Sequence, residues 1–209
     1  MDIIESLNWR YATKKFDPSR ILEDRKIDII KNAFNLTATS YGLQPLKMVI
    51  ISNKELQEEL VPLSYGQKQV LQASHVLVLC IDTVIDADYI KDYFKLVKEV
   101  RDTPSFILKP FEDDLLKSFG SKDSDSLEAW ATKQAYLAMG NLLTVCAIEG
   151  IDACPMEGFV PTAYDDKLGL TQKNLKSVLV LPIGYRAEDD VFAGFKKVRK
   201  TLDDTVIVM

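Results

Sequence analysis

The alternation of apolar and polar positions predicts a chain of helices and short buried strands. Apolar residues at Ile27, Ile30 and Phe34 recur at helical spacing and favour an amphipathic helix over Glu23–Asn35. Continuous apolar runs of strand length follow, and they are typical of strands that are buried on both faces. These predicted strands are Lys47–Ser52, Val76–Ile81 and Val178–Ile183, with a further helix predicted at Asn53–Leu60.

The longest apolar stretch, Leu127–Glu149, predicts one long helix that ends at Gly150. Polar residues at Lys133, Gln134 and Asn141 interrupt it, so a membrane span is not favoured. Because the helix is apolar nearly all round, we expect it to lie in a core or an interface.

Two regions do not fit this simple alternation. Residues 83–126 combine charge, helical spacing and many aromatic side chains, and we interpret them as a helical excursion from the domain. The end of the chain, Thr205–Met209, has the composition of a strand but lies far from any other apolar element, so it must pair with something. Strands alternating with helices suggest α/β or α+β layering in a single domain over residues 1–209.

Composition and charge narrow the possible partners. The formal net charge is −5, which argues against a nucleic-acid or anionic-membrane partner. Three cysteines occur without a CxxC pair, which fits a reducing compartment better than a disulfide framework. The N-terminus lacks a cationic stretch followed by an apolar one, so no signal peptide is predicted and a cytoplasmic location is expected.

Two cationic segments oppose this acidic background. The N-terminal cationic segment (residues 10–17) carries Arg10, Lys14 and Lys15, and the C-terminal cationic segment (residues 196–200) carries Lys197 and Arg199. Taken singly, each is most simply a solvated surface. If folding brings them together, their charges and the planar fork of arginine suit a phosphate group.

The segment Cys154–Phe159 is a second candidate for ligand binding. Pro155 stiffens the backbone and Gly158 permits close approach, so the segment could present backbone N–H groups to a flat ligand, or it could be a plain turn. His75 is the only histidine, and no Cys or carboxylate lies at ligand spacing from it, so a zinc site is not indicated. No GxSxG motif marks a Ser-His-Asp triad, and we interpret His75 as structural. No dinucleotide or Walker motif is present.

The order of these features resembles the FMN-dependent nitroreductase family over essentially the whole chain. The closest resemblance is to its oxygen-insensitive NAD(P)H nitroreductase and dihydropteridine reductase group. The motifs that carry it are Arg10…Thr13-Lys14…Phe16-Asp17, Gln44-Pro45, Ala73-Ser74-His75-Val76, Lys133-Gln134…Gly140-Asn141, Pro155…Glu157-Gly158-Phe159, Gly169-Leu170 and Lys197…Arg199.

The resemblance implies an α+β fold with a central mixed, mainly antiparallel sheet flanked by helices. It also implies an intertwined homodimer with two FMN molecules at the subunit interface. The long helix would form much of that interface, and the C-terminal strand would pair with the partner's sheet, which would explain its isolation.

The same resemblance assigns the site residues. Arg10, Lys197 and Arg199 would bind the FMN phosphate, and Lys14 would lie near the pyrimidine edge of the flavin and the nicotinamide pocket, where it stabilises the negative charge of the reduced ring. The backbone N–H groups of Glu157 and Gly158 would lie near the flavin N5. The remaining cofactor-binding positions are Tyr11 and Ala12, Thr39 and Ser40 (reaching the flavin of the other subunit), Gly66, Gln69, Pro155 and Met156.

The implied activity is a ping-pong, two-electron transfer from NADH or NADPH to nitroaromatics, quinones or related electron-poor acceptors, without a metal or an acid–base residue. Phe111 or Phe119 of the helical excursion would stack on the acceptor.

The chain departs from the family at Ala12, Gly66 and Gln69, where a serine, an asparagine and a lysine are expected. The departures at Gly66 and Gln69 keep open the alternative of a flavin-binding protein without turnover. A dehalogenating or flavin-fragmenting activity stays open as a second alternative, because the resemblance extends to a wider superfamily with such members.

Overall fold

A computed structural model describes residues 2–209, so Met1 of the predicted domain lies outside the described residues. Its centre is a four-stranded sheet in the order β1-β2-β4-β3. The strands are β1 (Leu46–Ile51), β2 (His75–Asp82), β3 (Asp152–Ala153) and β4 (Leu175–Gly184), and each neighbouring pair is antiparallel. The expected mixed sheet is therefore wrong for these strands, because parallel pairing among residues 2–209 is limited to an isolated bridge between Ala12 and Ala153.

Helices surround this sheet, and the predicted ones form with small shifts at their ends. The helix predicted over Glu23–Asn35 begins one residue later, and the long helix begins at Ser124 rather than Leu127. The helices are α1 (Ile3–Trp9), α2 (Asp24–Asn35), α3 (Lys54–Leu63), α4 (Gln69–Gln72), α5 (Ala87–Arg101), α6 (Ser105–Gly120), α7 (Ser124–Ile148), α8 (Pro161–Leu168) and α9 (Leu202–Thr205).

Both faces of the sheet are buried, which explains why its strands are apolar without alternation. Successive residues of β2 point to opposite faces: Leu77 and Leu79 belong to the core that includes α2, α5, α6 and α7, whereas Val76 and Val78 belong to the core that includes α3 and α8. The sheet therefore separates two hydrophobic cores.

Helix α7 has clear signals at both ends. The side chain of Asp123 accepts a hydrogen bond from the Ser126 N–H at 2.8 Å and caps the first turn. At the other end Gly150 adopts φ 63°, and Ile151 N–H donates to the Cys146 carbonyl at 2.8 Å, as in a Schellman motif. This turn leads directly into β3 and the candidate site.

The excursion predicted over residues 83–126 contains the helical pair α5 and α6. Phe119 is only 2% exposed and packs edge-on against Trp130 at 4.9 Å and Tyr41 at 5.7 Å between ring centroids. It is a core residue, so the alternative in which Phe119 stacks on an acceptor is wrong for this chain. Phe111, by contrast, is 44% exposed.

The strand predicted at the end of the chain does not form within the single chain. Thr205 closes the short helix α9, and residues 206–209 form no strand and lie exposed. A strand needs a neighbour for its backbone N–H and C=O groups, and no strand edge among residues 2–209 pairs with this segment.

The cysteines follow the sequence-based interpretation. Cys80, Cys146 and Cys154 are buried free thiols, and burial raises the pKa of Cys80 and of Cys146 to about 12.

Among the helices of residues 2–209, none combines the length and apolar character that crossing a membrane requires.

Candidate functional site

The N-terminal cationic segment leaves α1 in an extended conformation and runs beside the sheet. Thr13 N–H donates to the Ala153 carbonyl at 3.3 Å, and Asp17 N–H donates to the Tyr185 carbonyl at 2.9 Å. Because side chains alternate in extended backbone, Arg10, Ala12 and Lys14 lie on one side, while Thr13 is fully buried. The fold thus turns Arg10, Ala12 and Lys14 towards one cleft.

A buried carboxylate holds the segment in place. Asp190 accepts hydrogen bonds from the Tyr11 hydroxyl at 2.8 Å and from the N–H groups of Lys14 and Lys15 at 3.0 and 3.2 Å. Burial would raise the pKa of the Asp190 carboxyl, but these hydrogen bonds and one from Phe192 N–H outweigh it, so the pKa lies below its usual value. Sequence reasoning missed Asp190, since an acidic pair before a turn usually lies in solvent.

The two cationic segments meet across one cleft of about 380 Å³. The cleft contains the predicted residues Arg10, Tyr11, Ala12, Lys14, Lys197 and Arg199. Trp9 and Phe195 are among the aromatic side chains that line it. The Lys197 ammonium donates a hydrogen bond to the Arg10 carbonyl, which joins the two segments directly.

The cleft is strongly cationic. Burial and the nearby Arg199 guanidinium lower the pKa of Arg10, and burial together with Arg10 and Arg199 lowers the pKa of Lys197. Within residues 2–209, Arg10, Lys14, Lys197 and Arg199 form no ion pair with a carboxylate. Lys15, by contrast, pairs with Asp189 at the surface. The cleft therefore holds clustered positive charge that an anionic ligand would neutralise.

A thiol connects this cleft to the start of helix α4. Cys154 Sγ lies 3.8 Å from the Lys14 ammonium and 4.0 Å from Gln69 Nε2. Gln69 is buried, and its Nε2 also donates to Gln67 Oε1 at 2.9 Å. Burial raises the pKa of the Cys154 thiol although Lys14 opposes this effect, so the thiol stays neutral near neutral pH.

The segment Pro155–Gly158 follows Cys154 and is anchored at Met156. Met156 is buried and exchanges backbone hydrogen bonds with Val180 of β4 at 2.8 and 3.1 Å. Next to it, the N–H groups of Glu157 and Gly158 donate to no acceptor within residues 2–209. Two adjacent backbone donors are therefore available to a ligand.

Other predicted residues lie apart from the cationic cleft. Gly66 has φ 75°, and a Cβ at this position would meet no atom within 4 Å, so backbone conformation favours glycine there. Thr39 belongs to a different, smaller cleft, and the Ser40 N–H donates to Gln134 Oε1 at 2.8 Å. Within a single chain, the structure does not bring Thr39 or Ser40 into the cationic cleft.

The contacts of His75 fit the structural role that the sequence predicts for it. Its Nδ1 lies 2.9 Å from the Ser74 hydroxyl, and burial together with the nearby Lys54 lowers the pKa of the imidazole. Among the residues that the structure describes, no group of His, Cys, Asp and Glu side chains is arranged to hold a metal ion.

The fold and the cleft define an α+β protein with a cationic binding site between the two ends of its chain. Comparison with known proteins gives the family. The model of the nitroreductase family matches residues 7–185. The chain belongs to the nitroreductase family.

Relatives and solved structures agree over nearly the full length of the chain. The oxygen-insensitive NAD(P)H nitroreductase of Salmonella typhimurium is 31% identical and is matched over 99% of each chain. The Bacillus subtilis protein YfkO, also named as an NAD(P)H nitroreductase, is 34% identical over 98% of this chain and 96% of its own. A structure from Exiguobacterium sibiricum, described as a nitroreductase in complex with FMN, has a TM-score of 0.84 at 20% identity and covers 100% of this chain and 98% of its own.

Proposed function

We propose that this chain is an FMN-dependent oxidoreductase that uses NADH or NADPH to reduce nitroaromatics, quinones or related electron-poor acceptors. The observation that carries the proposal is the meeting of Arg10 and Lys197, which are 187 residues apart, in one cleft. Within residues 2–209, its side chains Arg10, Lys14, Lys197 and Arg199 form no ion pair with a carboxylate. Membership of the family, the name of the Salmonella relative and the FMN bound to the Exiguobacterium protein support it.

The residues of the cleft fit the chemistry of FMN. Arg10, Lys197 and Arg199 would bind its phosphate, because guanidinium and ammonium groups donate charge-assisted hydrogen bonds to phosphate oxygens. Lys14 would supply positive charge beside the flavin ring, and Cys154 Sγ lies against its ammonium. When bound, FMN supplies two-electron transfer between the nicotinamide and the acceptor, so no metal or protein nucleophile is needed.

The cationic cleft is present although the chain departs from the expected family residues at Ala12, Gly66 and Gln69. Ala12 lines the cleft but offers no hydroxyl, so phosphate binding would depend on the cations. Gly66 contributes backbone only, and Gln69 is occupied by Gln67 and Cys154 rather than exposed towards a ligand. We expect these changes to adjust FMN affinity and potential.

A homodimer would complete this site, and apolar surface supports one. Helix α1 packs against α7, and both leave apolar side chains exposed. The exposed residues include Ile3, Ile4 and Leu7 of α1, Leu137 and Ile148 of α7, and Val206–Met209. Exposed apolar surface of this kind is typical of interfaces. In such a dimer Thr39 and Ser40 would reach the flavin of the partner subunit.

The acceptor would bind under the helical excursion. Phe111 is the remaining aromatic candidate for contact with the acceptor, since it is partly exposed and is packed edge-on against Phe94 at 5.6 Å between ring centroids. We expect Phe111→Ala to raise KM for a nitroarene while leaving reduction by NAD(P)H unchanged.

The proposed activity is tested by anaerobic reduction of the FMN-loaded protein. The yellow protein should bleach on addition of NADH or NADPH, and a quinone or nitroarene should restore the colour. Protein that binds FMN but stays yellow with both nucleotides would contradict the proposal and favour a flavin-binding protein without turnover.

A further inference from the structure

Two side chains from different elements contact this segment, one at the side chain of Glu157 and the other at the backbone of Gly158. Tyr136 of α7 donates its hydroxyl to Glu157 Oε1 at 2.6 Å. Gln67, in the loop before α4, donates its Nε2 to the Gly158 carbonyl at 2.7 Å. Neither residue is among the predicted cofactor-binding positions.

The surroundings leave little freedom to this short segment. Met156 is fixed on one side by its pairing with Val180, and Phe159 N–H donates to the Glu157 carbonyl at 3.0 Å on the other. A Cβ on Gly158 would lie 2.9 Å from Gln67 Nε2, so the close approach of Gln67 depends on glycine. What remains without a partner within residues 2–209 is the pair of N–H groups on Glu157 and Gly158.

The amide of Gln67 is itself oriented. Its Oε1 accepts a hydrogen bond from Gln69 Nε2, which requires Nε2 of Gln67 to face Gly158. The hydroxyl of Tyr136 stays a donor at neutral pH, because its hydrogen bond to Glu157 raises the pKa of the phenol.

We propose that Gln67 and Tyr136 are positioning residues that aim the N–H groups of Glu157 and Gly158 at acceptor atoms of the flavin ring: Gln67 by holding the Gly158 carbonyl, and Tyr136 by anchoring the Glu157 side chain. The inference rests on the proposed function. Donors that are held in place bind a ligand without first losing conformational freedom, so fixing this backbone should increase affinity for the ring and tune its potential. Gln69 stands where the resemblance leads us to expect a lysine. Its hydrogen bond to Gln67 Oε1 would give it a role in orienting the amide of Gln67.

The test uses Tyr136→Phe and Gln67→Glu, which each remove one donor and keep the size of the side chain. Their matched controls are Tyr185→Phe, whose hydroxyl donates no hydrogen bond within residues 2–209, and Gln172→Glu, which adds the same charge at an exposed turn. Binding of FMN and riboflavin is measured by quenching of flavin fluorescence, and the bound flavin is characterised by its visible spectrum and midpoint potential.

We expect each variant to raise the Kd by about threefold to tenfold, as the loss of one hydrogen bond implies. The increase should be equal for FMN and riboflavin, since the ring and not the phosphate is affected, and the visible spectrum and midpoint potential should shift. Gln67→Ala, which removes the donor without adding charge, should do the same. The controls should match the wild type.

The outcomes separate the inference from the proposed function. If the wild type binds FMN while Tyr136→Phe and both Gln67 variants keep its Kd, spectrum and midpoint potential, the positioning role is wrong and the proposed function stands. If the wild type binds no FMN, both are wrong. Tyr136 is 47% exposed and Gln67 is partly exposed, so folded variants are expected, and thermal melting of the apo-proteins verifies this.

Discussion

Asp190 joins the two cationic segments through contacts that involve no cationic side chain. Its carboxylate accepts from the Tyr11 hydroxyl and from the N–H groups of Lys14 and Lys15, and its other oxygen accepts from Phe192 N–H at 3.2 Å. Phe192 belongs to the turn that leads to Lys197 and Arg199. The carboxylate therefore orders backbone on both sides of the cleft.

Replacing this carboxylate should destabilise the fold at neutral pH. In Asp190→Asn an amide N–H group would face N–H donors, so we expect the free energy of unfolding to fall by about 1–3 kcal/mol, measured by denaturant titration at pH 7. The control is Asp189→Asn, which removes only the exposed ion pair with Lys15.

The pH dependence of this effect follows from the lowered pKa of Asp190. The stabilisation is present above the pKa of an unfolded aspartate, about 3.9, and is lost as the pH falls through the lower pKa of the folded state. The difference between wild type and Asp190→Asn should therefore be full at pH 7 and shrink below about pH 4. A difference that stays constant down to pH 2 would contradict this account.

At the residue scale, the sequence revealed the charges but not what holds them. Arg10, Lys14, Lys197 and Arg199 were visible because they oppose an acidic background. Asp190 and Gln67 were not, since their roles depend on backbone groups that are distant in sequence, and no local pattern marks such contacts.

At the scale of elements, α7 carries a glycine that the single chain does not explain. Gly140 lies in the middle of this helix, where glycine costs about 1 kcal/mol relative to alanine, yet a Cβ there would meet no atom within 4 Å. Gly140 is exposed on the same helix as Leu137 and Ile148. A close approach by a second copy of the chain would account for it.

We therefore expect Gly140→Leu to prevent dimerisation without a clash inside the chain. Sedimentation velocity should show monomers at concentrations where the wild type is dimeric, with unchanged helical content by circular dichroism. Gly194→Leu is the control, because a Cβ at Gly194 also meets no atom within 4 Å but lies outside α7. A Gly140→Leu protein as dimeric as the wild type would contradict an interface at this point of the helix.

The C-terminal segment makes a separate prediction. Residues 206–209 have strand-like composition but remain unpaired in the described chain, as expected if they pair with the sheet of a partner. Deleting Val206–Met209 should weaken dimerisation, seen as a concentration-dependent shift to monomer in sedimentation. An unchanged dimer after the deletion would exclude strand exchange as a stabilising contact.

The elements themselves were largely predictable, because their signals are local. The strands β1, β2 and β4 and the helix α7 follow from apolar runs, and the end of α7 follows from the stop at Gly150. The cap at Asp123, which sets the start of α7 three residues earlier than predicted, was not recognised in the sequence. The conformation of residues 206–209 was not predictable, since β-propensity becomes a strand only where a partner edge exists.

At the scale of the whole molecule, the sheet brings the two ends of the chain together. Residues 152–153 of β3 pair with the end of β4, and the N-terminal cationic segment lies beside β3. The turn after β4 then returns Asp190 and the C-terminal cationic segment to the same place. Sequence order alone does not reveal this closure, because it depends on the strand order β1-β2-β4-β3.

The central claim is that the two cationic segments form one phosphate site for FMN. Riboflavin has the same ring system without the phosphate, so comparing the two ligands isolates the contribution of this site. The wild type should bind FMN much more tightly than riboflavin, and Arg199→Ala should weaken FMN binding by about tenfold or more while leaving riboflavin unchanged. Lys200→Ala, which lies outside the cleft, should behave as the wild type. Equal affinity of the wild type for both ligands, or an equal loss for both in Arg199→Ala, would contradict the claim.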